Sequence, residues 1–248
     1  MFIANGFFRN RTEFLKKHVV FSRFSRYPKI DHYVNTDKLE EFRKSILVEM
    51  PMKRDTRIND KTLYSDYDEE LYRLTVNKRW NFEESRPIVD AGEQCRVLRK
   101  IVNSNKSKLN ILDDVRKEHK KIIIYYNFNY ELDMLKEYCE DKKITFAEYN
   151  GHKHESIPDS EEWLYLVQYS AGAEGWNCVK TNTILFFSLN YSYKIMAQAK
   201  GRIDRMNTPY HKLYYYYLMT KSSIDYSIRK AILDKQVFNE KAFVNTIS

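Results

Sequence analysis

The feature that most constrains the fold is a change of pattern at Lys121, after which short apolar runs alternate with helical patterns. The run "KIIIYYN" is continuous, apolar and rich in β-branched residues, as is typical of a strand buried on both faces. The next segment, "YELDMLKEYCED", repeats its apolar residues at helical spacing. Alternation of strands and helices favours right-handed crossovers and a parallel sheet with helices on both faces. We therefore predict an α/β fold whose ligands bind at the carboxyl ends of the strands.

The same alternation continues to the C-terminus. Four further strands are predicted, at "KITFAEY", "EWLYLVQYS", "TNTILFFSLN" and "HKLYYYYLMT". The last segment, "SSIDYSIRKAILDKQVF", opens with serines suited to helix capping and predicts an amphipathic helix. The preceding part of the chain is more charged and mostly helical in pattern. We predict a mainly helical region over 1–91, either a brace packed against the sheet or a linker to another lobe, and the sheet domain over 92–248.

Composition narrows the classes of partner. The 248 residues carry a formal net charge of +8, which favours a phosphate-rich partner. The three cysteines, Cys95, Cys139 and Cys178, are scattered without a nearby histidine at ligand spacing, so we expect no disulfide framework and no metal site. No apolar run approaches the roughly 18 residues of a membrane span, and the start lacks a signal peptide's apolar core. We expect a cytoplasmic protein with no membrane partner.

The stretch "MAQAKGRIDRMNTP" places two arginines directly after a glycine. Good helix formers precede them, and Pro209 would stop the helix. Helical spacing then predicts Gln198, Arg202 and Arg205 on one face. Gly201 costs roughly 1 kcal/mol relative to alanine inside a helix, which suggests that something approaches the backbone there. The alternative is a basic helix end that complements the helix dipole.

A second stretch, "SAGAEGWNC", follows a predicted buried strand. Gly172 and Gly175 permit backbone conformations and close approaches that a Cβ would block, and Glu174 between them can accept hydrogen bonds or orient an arginine. Taken alone, this loop favours a tight structural turn. Its pairing with "QAKGRIDR" downstream makes the pattern specific.

These stretches resemble conserved motifs of superfamily 2 helicases and translocases, in the Swi/Snf-like or phage-encoded branches. "YSAGAEGWNC" resembles the fifth motif, "QAKGRIDR" resembles the sixth, Q-x-x-G-R-x-x-R, and "KIIIYYNFNYELDML" is similar to the fourth. Their order and strand context agree over about Gly92 to Lys235. The resemblance implies the C-terminal RecA-like lobe of a two-lobed motor that hydrolyses ATP with Mg²⁺ on nucleic acid, in a bacterial or phage-infected host cytoplasm.

The first lobe of such motors is missing from this sequence. It would carry a phosphate-binding G-x-x-x-x-G-K-S/T loop, which does not occur here, and an Asp-Glu magnesium box. The pair Asp68–Glu69 lies in a polar helical pattern instead of ending an apolar strand, so we do not assign it that role. The resemblance implies that a longer parent chain or a separate polypeptide supplies the first lobe and holds most of ATP and Mg²⁺. We expect the isolated chain to hydrolyse no ATP.

The resemblance also implies roles for individual residues. Arg205 is expected to be the catalytic arginine finger, and Arg202 its phosphate-sensing or tethering partner. The expected ATP-binding residues are Gln198, Gly201, Gly172, Glu174 and Gly175. The expected nucleic-acid contacts are Ser170, Ala171, Asn127 and Trp176. Trp176 has the alternative of filling space behind the loop. We expect salt-sensitive binding that does not read sequence, to DNA ahead of RNA.

Two other functions remain open from the residues. One is a non-catalytic module that binds nucleic acid or regulates a motor, although such a module would not need both arginines. The other is an unrelated Rossmann-like enzyme that uses Glu174 or His152 as acid or base, but no G-x-G-x-x-G fingerprint follows an early strand. The segment "HKHESIPDSEE" replaces a longer helical stretch of the family, and its histidines are expected to face solvent.

Overall fold

The computed structural model describes residues 3–23, 27–47, 56–171 and 176–247, and the chain divides into two compact units, Met1–Arg54 and Asp55–Ser248. The smaller unit contains helix α1 (Arg11–His18), an antiparallel pair of strands, β1 (Val19–Phe21) and β2 (Ile30–Tyr33), and helix α2 (Thr36–Ile46). Its buried Phe8 ring lies 5.2 Å from His18, 5.4 Å from Phe14 and 5.9 Å from Phe42 between centroids. This aromatic cluster is the core of the smaller unit.

The larger unit alternates strands and helices. In chain order its elements are β3 (Arg57–Tyr64), α3 (Glu69–Lys78), β4 (Trp80–Asn81), β5 (Arg86–Pro87), α4 (Ala91–Asn103), α5 (Ser107–Glu118), β6 (Lys121–Tyr126), α6 (Asn129–Asp141), β7 (Phe146–Tyr149), β8 (Trp163–Gln168), β9 (Thr183–Phe186), α7 (Tyr193–Lys200), β10 (Lys212–Met219), α8 (Ser223–Leu233) and α9 (Glu240–Ile247).

Six of these strands form one sheet in the order β3-β10-β9-β6-β8-β7. Every neighbouring pair in it is parallel. The α/β expectation of a RecA-like parallel sheet with helices on both faces is therefore confirmed. None of the helices in the described ranges is long and apolar enough to cross a membrane.

The sheet is buried on both faces because its strands are apolar at successive positions. Along β6, Ile123 and Tyr125 face a core built with α4, α7, α8 and α9. Their neighbours Ile122 and Ile124 face a second core built with α5 and α6. All four side chains are at most 1% exposed. The central strand β6 is therefore held firmly in place, and the segments of the candidate site follow the carboxyl ends of this strand and of its neighbours.

Strand β3 differs from the sequence analysis, which expected a mainly helical region over 1–91. It forms one edge of the sheet and pairs with β10 along its full length, from Arg57 opposite Lys212 to Tyr64 opposite Met219. The larger unit accordingly begins at Asp55, well before residue 92. The strand was missed because an edge strand is only partly covered, so it can carry charged residues such as Asp60 and Lys61 and shows no apolar run.

Candidate functional site

The two arginines lie in a turn rather than on a helix. Helix α7 ends at Lys200, and the N–H of Arg202 donates to the carbonyl of Ala199 over 3.1 Å, a tighter spacing than that of an α-helix. Ile203 is fully buried and draws the chain towards the core. The predicted helical face of Gln198, Arg202 and Arg205 is therefore wrong. We call residues 201–208 the arginine turn.

Arg202 faces inward and is 7% exposed. Its Nη1 donates to the main-chain carbonyl of Trp176 over 3.0 Å, and its guanidinium lies 5.8 Å from the Trp176 ring centroid. The Arg202 carbonyl in turn accepts from the N–H of Cys178 over 3.0 Å. Burial raises the pKa of the Tyr125 hydroxyl, and the nearby charge of Arg202 opposes that rise. Of the two roles implied for Arg202, this geometry corresponds to the tether.

Arg205 is half-buried, and its surroundings differ from those of Arg202. Its main chain is fixed, because its N–H donates to the Ile203 carbonyl and its own carbonyl accepts from the N–H of Thr208, both over 3.1 Å. Among the described residues, its side chain forms no salt bridge and its buried Nε has no hydrogen-bond partner. The adjacent Met206 is 86% exposed. The described residues thus hold an arginine in a defined place without neutralising it.

Gly201 and Gln198 lie at the end of α7. Gly201 has φ of −64°, which any residue can adopt, and a Cβ there would meet the Gln198 carbonyl at 3.4 Å and the Ala197 carbonyl at 3.6 Å, which are ordinary contacts. Gln198 is exposed. Nothing among the described neighbours of Gly201 therefore requires a glycine. A requirement for glycine would have to come from a molecule that approaches this backbone from outside.

The loop after β8 is described at its two ends. Ser170 is exposed, and the N–H of Ala171 donates to the Gln168 carbonyl over 3.1 Å. Gly172, Glu174 and Gly175 lie outside the described residues. Their expected roles stay predictions.

Trp176 begins the described segment on the far side of that loop. Its ring lies 5.5 Å from Tyr165 and 5.8 Å from Tyr149 between centroids, and it packs against the core on that face of the sheet. Its Nε1 is buried without a hydrogen-bond partner among the described residues. The ring thus packs against the core of the sheet, and the expected contact of Trp176 with nucleic acid stays a prediction.

Asn127 lies just past the end of β6, and its side chain is engaged within the chain. Its Nδ2 donates to Ser188 Oγ over 2.8 Å and to the Leu189 carbonyl over 3.1 Å. Its Oδ1 accepts from Asn190 over 2.9 Å. These bonds join the carboxyl ends of β6 and β9. A phosphate contact by Asn127 would have to replace one of them.

A group of buried ionisable residues at the same edge was not found from the sequence. Glu131 is fully buried and accepts from the N–H of Asn127 over 2.8 Å and from Ser188 Oγ over 2.9 Å. Arg99 is 3% exposed, donates to the Leu189 carbonyl over 2.6 Å and lies over the Phe128 ring. These charged residues fall at buried positions of helices that otherwise read as amphipathic, so periodicity gave no signal for them.

Lys108 is the other buried cation of this edge, and it is fully buried. Its Nζ donates over 2.7 Å to Asn103 Oδ1 and over 2.7 Å to the Phe187 carbonyl. Desolvation lowers the pKa of Lys108 to about 8, although the carboxylates of Asp225 and Glu131 oppose the shift. Lys108 thus ties the start of α5 to the end of β9.

Two further expectations concern metals and histidines. Within the ranges that the structure describes, no three His, Cys, Asp or Glu residues are placed to hold a metal ion. His152 and His154 are both exposed, and the His154 ring stacks on Tyr149 at 4.6 Å between centroids.

Comparisons with known proteins identify the same region. Residues 107–207 match the family model of the helicase conserved C-terminal domain. The chain is 24% identical over 167 residues to the chromatin-remodeling ATPase INO80 of Emericella nidulans, covering 60% of this chain and 10% of that protein. It is 22% identical over 247 residues to the lymphoid-specific helicase of Homo sapiens, covering 92% of this chain and 29% of that protein.

A solved structure shows the same fold. The C-terminal part of the Fun30 ATPase domain superposes with a TM-score of 0.50 at 19% identity, covering 72% of this chain and 61% of that one. Together, the family model, the relatives and the fold confirm the resemblance to the C-terminal RecA-like lobe of superfamily 2 motors. The chain spans only a minor part of the relatives' length, and the two named organisms give no support to the expected phage or bacterial source.

Proposed function

We propose that this chain is the second lobe of an ATP-dependent superfamily 2 DNA helicase or translocase, and that it supplies Arg205 as the arginine finger. The observation that supports this role is the contrast within the arginine turn. Arg202 is buried against the Trp176 carbonyl, whereas the side chain of Arg205 has no charge partner among the described residues. A guanidinium that the described residues fix but do not neutralise is suited to a charge that another molecule brings.

The reaction would take place between this lobe and the first lobe. ATP with Mg²⁺, held mainly by the first lobe, supplies a γ-phosphoryl group whose transfer to water spreads negative charge over its oxygens. Arg205 would place a permanent positive charge beside those oxygens, a contribution of several kcal/mol in phosphoryl-transfer enzymes. Arg202 would keep the turn in shape through its tether. Gln198 and Gly201 would face the same cleft from the end of α7, and Gly172, Glu174 and Gly175 are the other residues of this lobe that we expect to contribute to ATP binding.

Nucleic acid would bind along the loop after β8. Ser170 is exposed there, and contacts from Ser170 and Ala171 would track phosphates without reading bases. Such binding weakens steeply with salt because it releases counterions. The name of one relative, a chromatin-remodeling ATPase, supports DNA as the partner ahead of RNA.

The test compares Arg205→Ala with Arg73→Ala, a control that removes an exposed arginine on α3. We expect the isolated chain to show no DNA-stimulated ATP hydrolysis. Joining it to the first lobe of its motor should give turnover, which Arg205→Ala should lower about 10³-fold or more and Arg73→Ala should leave unchanged. Equal rates in the two variants would remove the finger. DNA binding with no turnover from any first lobe would point to the non-catalytic module instead.

A further inference from the structure

We infer that strand β3 positions the arginine turn, and that Asp60 and Thr56 are positioning residues for Arg205. The mechanical part of this inference stands on the chain alone, and its consequence for ATP hydrolysis rests on the proposed function. The stretches that resemble helicase motifs do not include these two residues, which lie about 140 positions before the turn in a segment that the sequence did not predict as part of the sheet.

The first link joins β3 to the last residue of α7. Both carboxylate oxygens of Asp60 accept from Lys200 Nζ, over 2.9 Å and 3.1 Å. The hydroxyl of Tyr217 donates to the same carboxylate over 3.2 Å. Asp60 therefore fixes the cation that directly precedes Gly201. Since α7 ends at Lys200, the point at which the arginine turn begins is set from the edge strand.

Aromatic rings complete the surroundings of Lys200. Its Nζ lies 4.4 Å from the Tyr215 ring centroid and 5.8 Å from that of Tyr217, and the Tyr215 hydroxyl donates to the Lys200 carbonyl over 3.2 Å. Burial lowers the pKa of Lys200, but its bonds to Asp60 and Tyr217 outweigh that effect and leave the pKa raised. The ammonium of Lys200 is thus charged and confined at neutral pH. The main chain of Lys200 is held as well, through its carbonyl.

The second link joins Thr56, the residue directly before β3, to the residue between Ile203 and Arg205. Thr56 Oγ1 donates to Asp204 Oδ1 over 3.3 Å. At the first residue of β3, the N–H of Arg57 donates to the His211 carbonyl over 2.8 Å, so the chain that leaves the turn also returns to this strand. The turn is therefore attached to the β3 segment at three points: at Lys200 just before the turn, at Asp204 within it, and at His211 just before β10. On its opposite side it is attached to Trp176 through Arg202.

The exposure of these groups separates positioning from overall stability. The Asp60 side chain is 43% exposed and that of Lys200 is 26% exposed. Ion pairs at such sites contribute little to the free energy of unfolding. Loss of the Asp60 carboxylate should therefore leave the fold intact and loosen the turn, whereas a merely structural residue would weaken the whole sheet.

The experiment uses the full chain without nucleotide. Amide hydrogen exchange is measured over 201–208 and over β6 and β8, together with the ¹⁵N–¹H signal of Arg205 Nε. In Asp60→Asn we expect exchange in the turn to accelerate about tenfold and the Arg205 Nε signal to broaden, with exchange in β6 and β8 unchanged. Thr56→Ala should act in the same direction. The matched control is Asp114→Asn, which removes an exposed ion pair with Lys117 on α5 and should change nothing.

Two results would overturn the inference. One is turn exchange in Asp60→Asn equal to that of the wild type. The other is equal acceleration in the turn and in the central strands, which would show a general loss of stability. If Asp60→Asn loosens the turn while Arg205→Ala leaves turnover with the first lobe unchanged, the finger assignment fails and the positioning by β3 stands.

Discussion

The guanidinium of Arg202 donates to the main-chain carbonyl of Trp176 over 3.0 Å, so the arginine turn and the end of the loop after β8 are joined directly. The fifth and sixth motifs of the family resemblance are thus connected by a side chain from one to the main chain of the other. The contact is buried, because Arg202 is only 7% exposed.

This contact predicts that the two arginines contribute very differently to the free energy of unfolding. Arg202→Ala removes a buried hydrogen bond from a charged donor and leaves the Trp176 carbonyl without it, so we expect the free energy of unfolding to fall by about 2 kcal/mol. Arg205→Ala should change it by less than about 0.5 kcal/mol, since that side chain has no hydrogen-bond or ion-pair partner among the described residues. Urea unfolding of both variants measures the difference. Equal losses would contradict the tether.

Gly201→Ala tests whether a partner approaches the end of α7. The Cβ would make only ordinary contacts, at 3.4 Å or more, so urea unfolding should show a change within about 0.5 kcal/mol. With the first lobe joined, we expect ATP turnover to fall, because the added methyl would obstruct the cleft. Unchanged turnover would show that nothing comes close to this backbone. Ala197→Ser, on the exposed side of the same helix, is the control.

The place of β3 in the sheet predicts the shortest chain that folds. A chain of residues 92–248 lacks β3 and leaves one side of β10 without its eight paired residues. It also lacks Tyr72, whose hydroxyl lies 2.8 Å from Ser223 Oγ. We expect residues 56–248 to melt cooperatively and residues 92–248 to aggregate or to melt without a sharp transition, as measured by circular dichroism and size-exclusion chromatography. Equal melting curves would mean that β3 is dispensable.

Lys108 predicts how stability changes with pH. Its pKa is lowered from 10.5 to about 8 in the folded chain, so between pH 8 and pH 10 the unfolded chain keeps a proton that the folded chain has lost. The free energy of unfolding should therefore rise with pH in this window, by about 2 kcal/mol for this residue.

The control for that prediction is Lys108→Met. Burial raises the pKa of Cys95 and Cys139 to about 12, and their ionisation in the unfolded chain lowers stability above about pH 9. This opposing effect is common to both proteins, so the difference between wild type and Lys108→Met isolates Lys108. No change in that difference between pH 8 and pH 10 would mean that Lys108 keeps its ordinary pKa in the fold.

The sequence predicts the elements whose physics is local. After Lys121, strand β6 carries only apolar and aromatic residues and is covered on both faces, and "YELDMLKEYCED" corresponds closely to α6. The pairing of a glycine loop with "QAKGRIDR" led to the helicase C-terminal domain, which the family model confirms over 107–207.

What the sequence did not predict depends on contacts between distant residues. Strand β3 has a polar pattern because none of its side chains is fully buried at this edge of the sheet. The end of α7 depends on the burial of Ile203 and on the contacts of Arg202 with Trp176 and of Lys200 with Asp60, none of which appears in helix propensity. Lys108 reads as a surface residue of a helix until Asn103 and Phe187 surround it. Pattern reasoning assigns charge to the surface, and these cases are its exceptions.

The pairing of β3 with β10 also has a consequence for biosynthesis. The ribosome makes β3 before any other strand of the large sheet, yet the strand to which it hydrogen-bonds is made after all the others. Its main-chain donors and acceptors therefore stay without their partners on β10, solvated or shielded by other proteins, until nearly the whole sheet has been synthesised. The edge that carries Asp60 and Thr56 is therefore completed late, and the arginine turn acquires its final shape only when translation of this unit is almost finished.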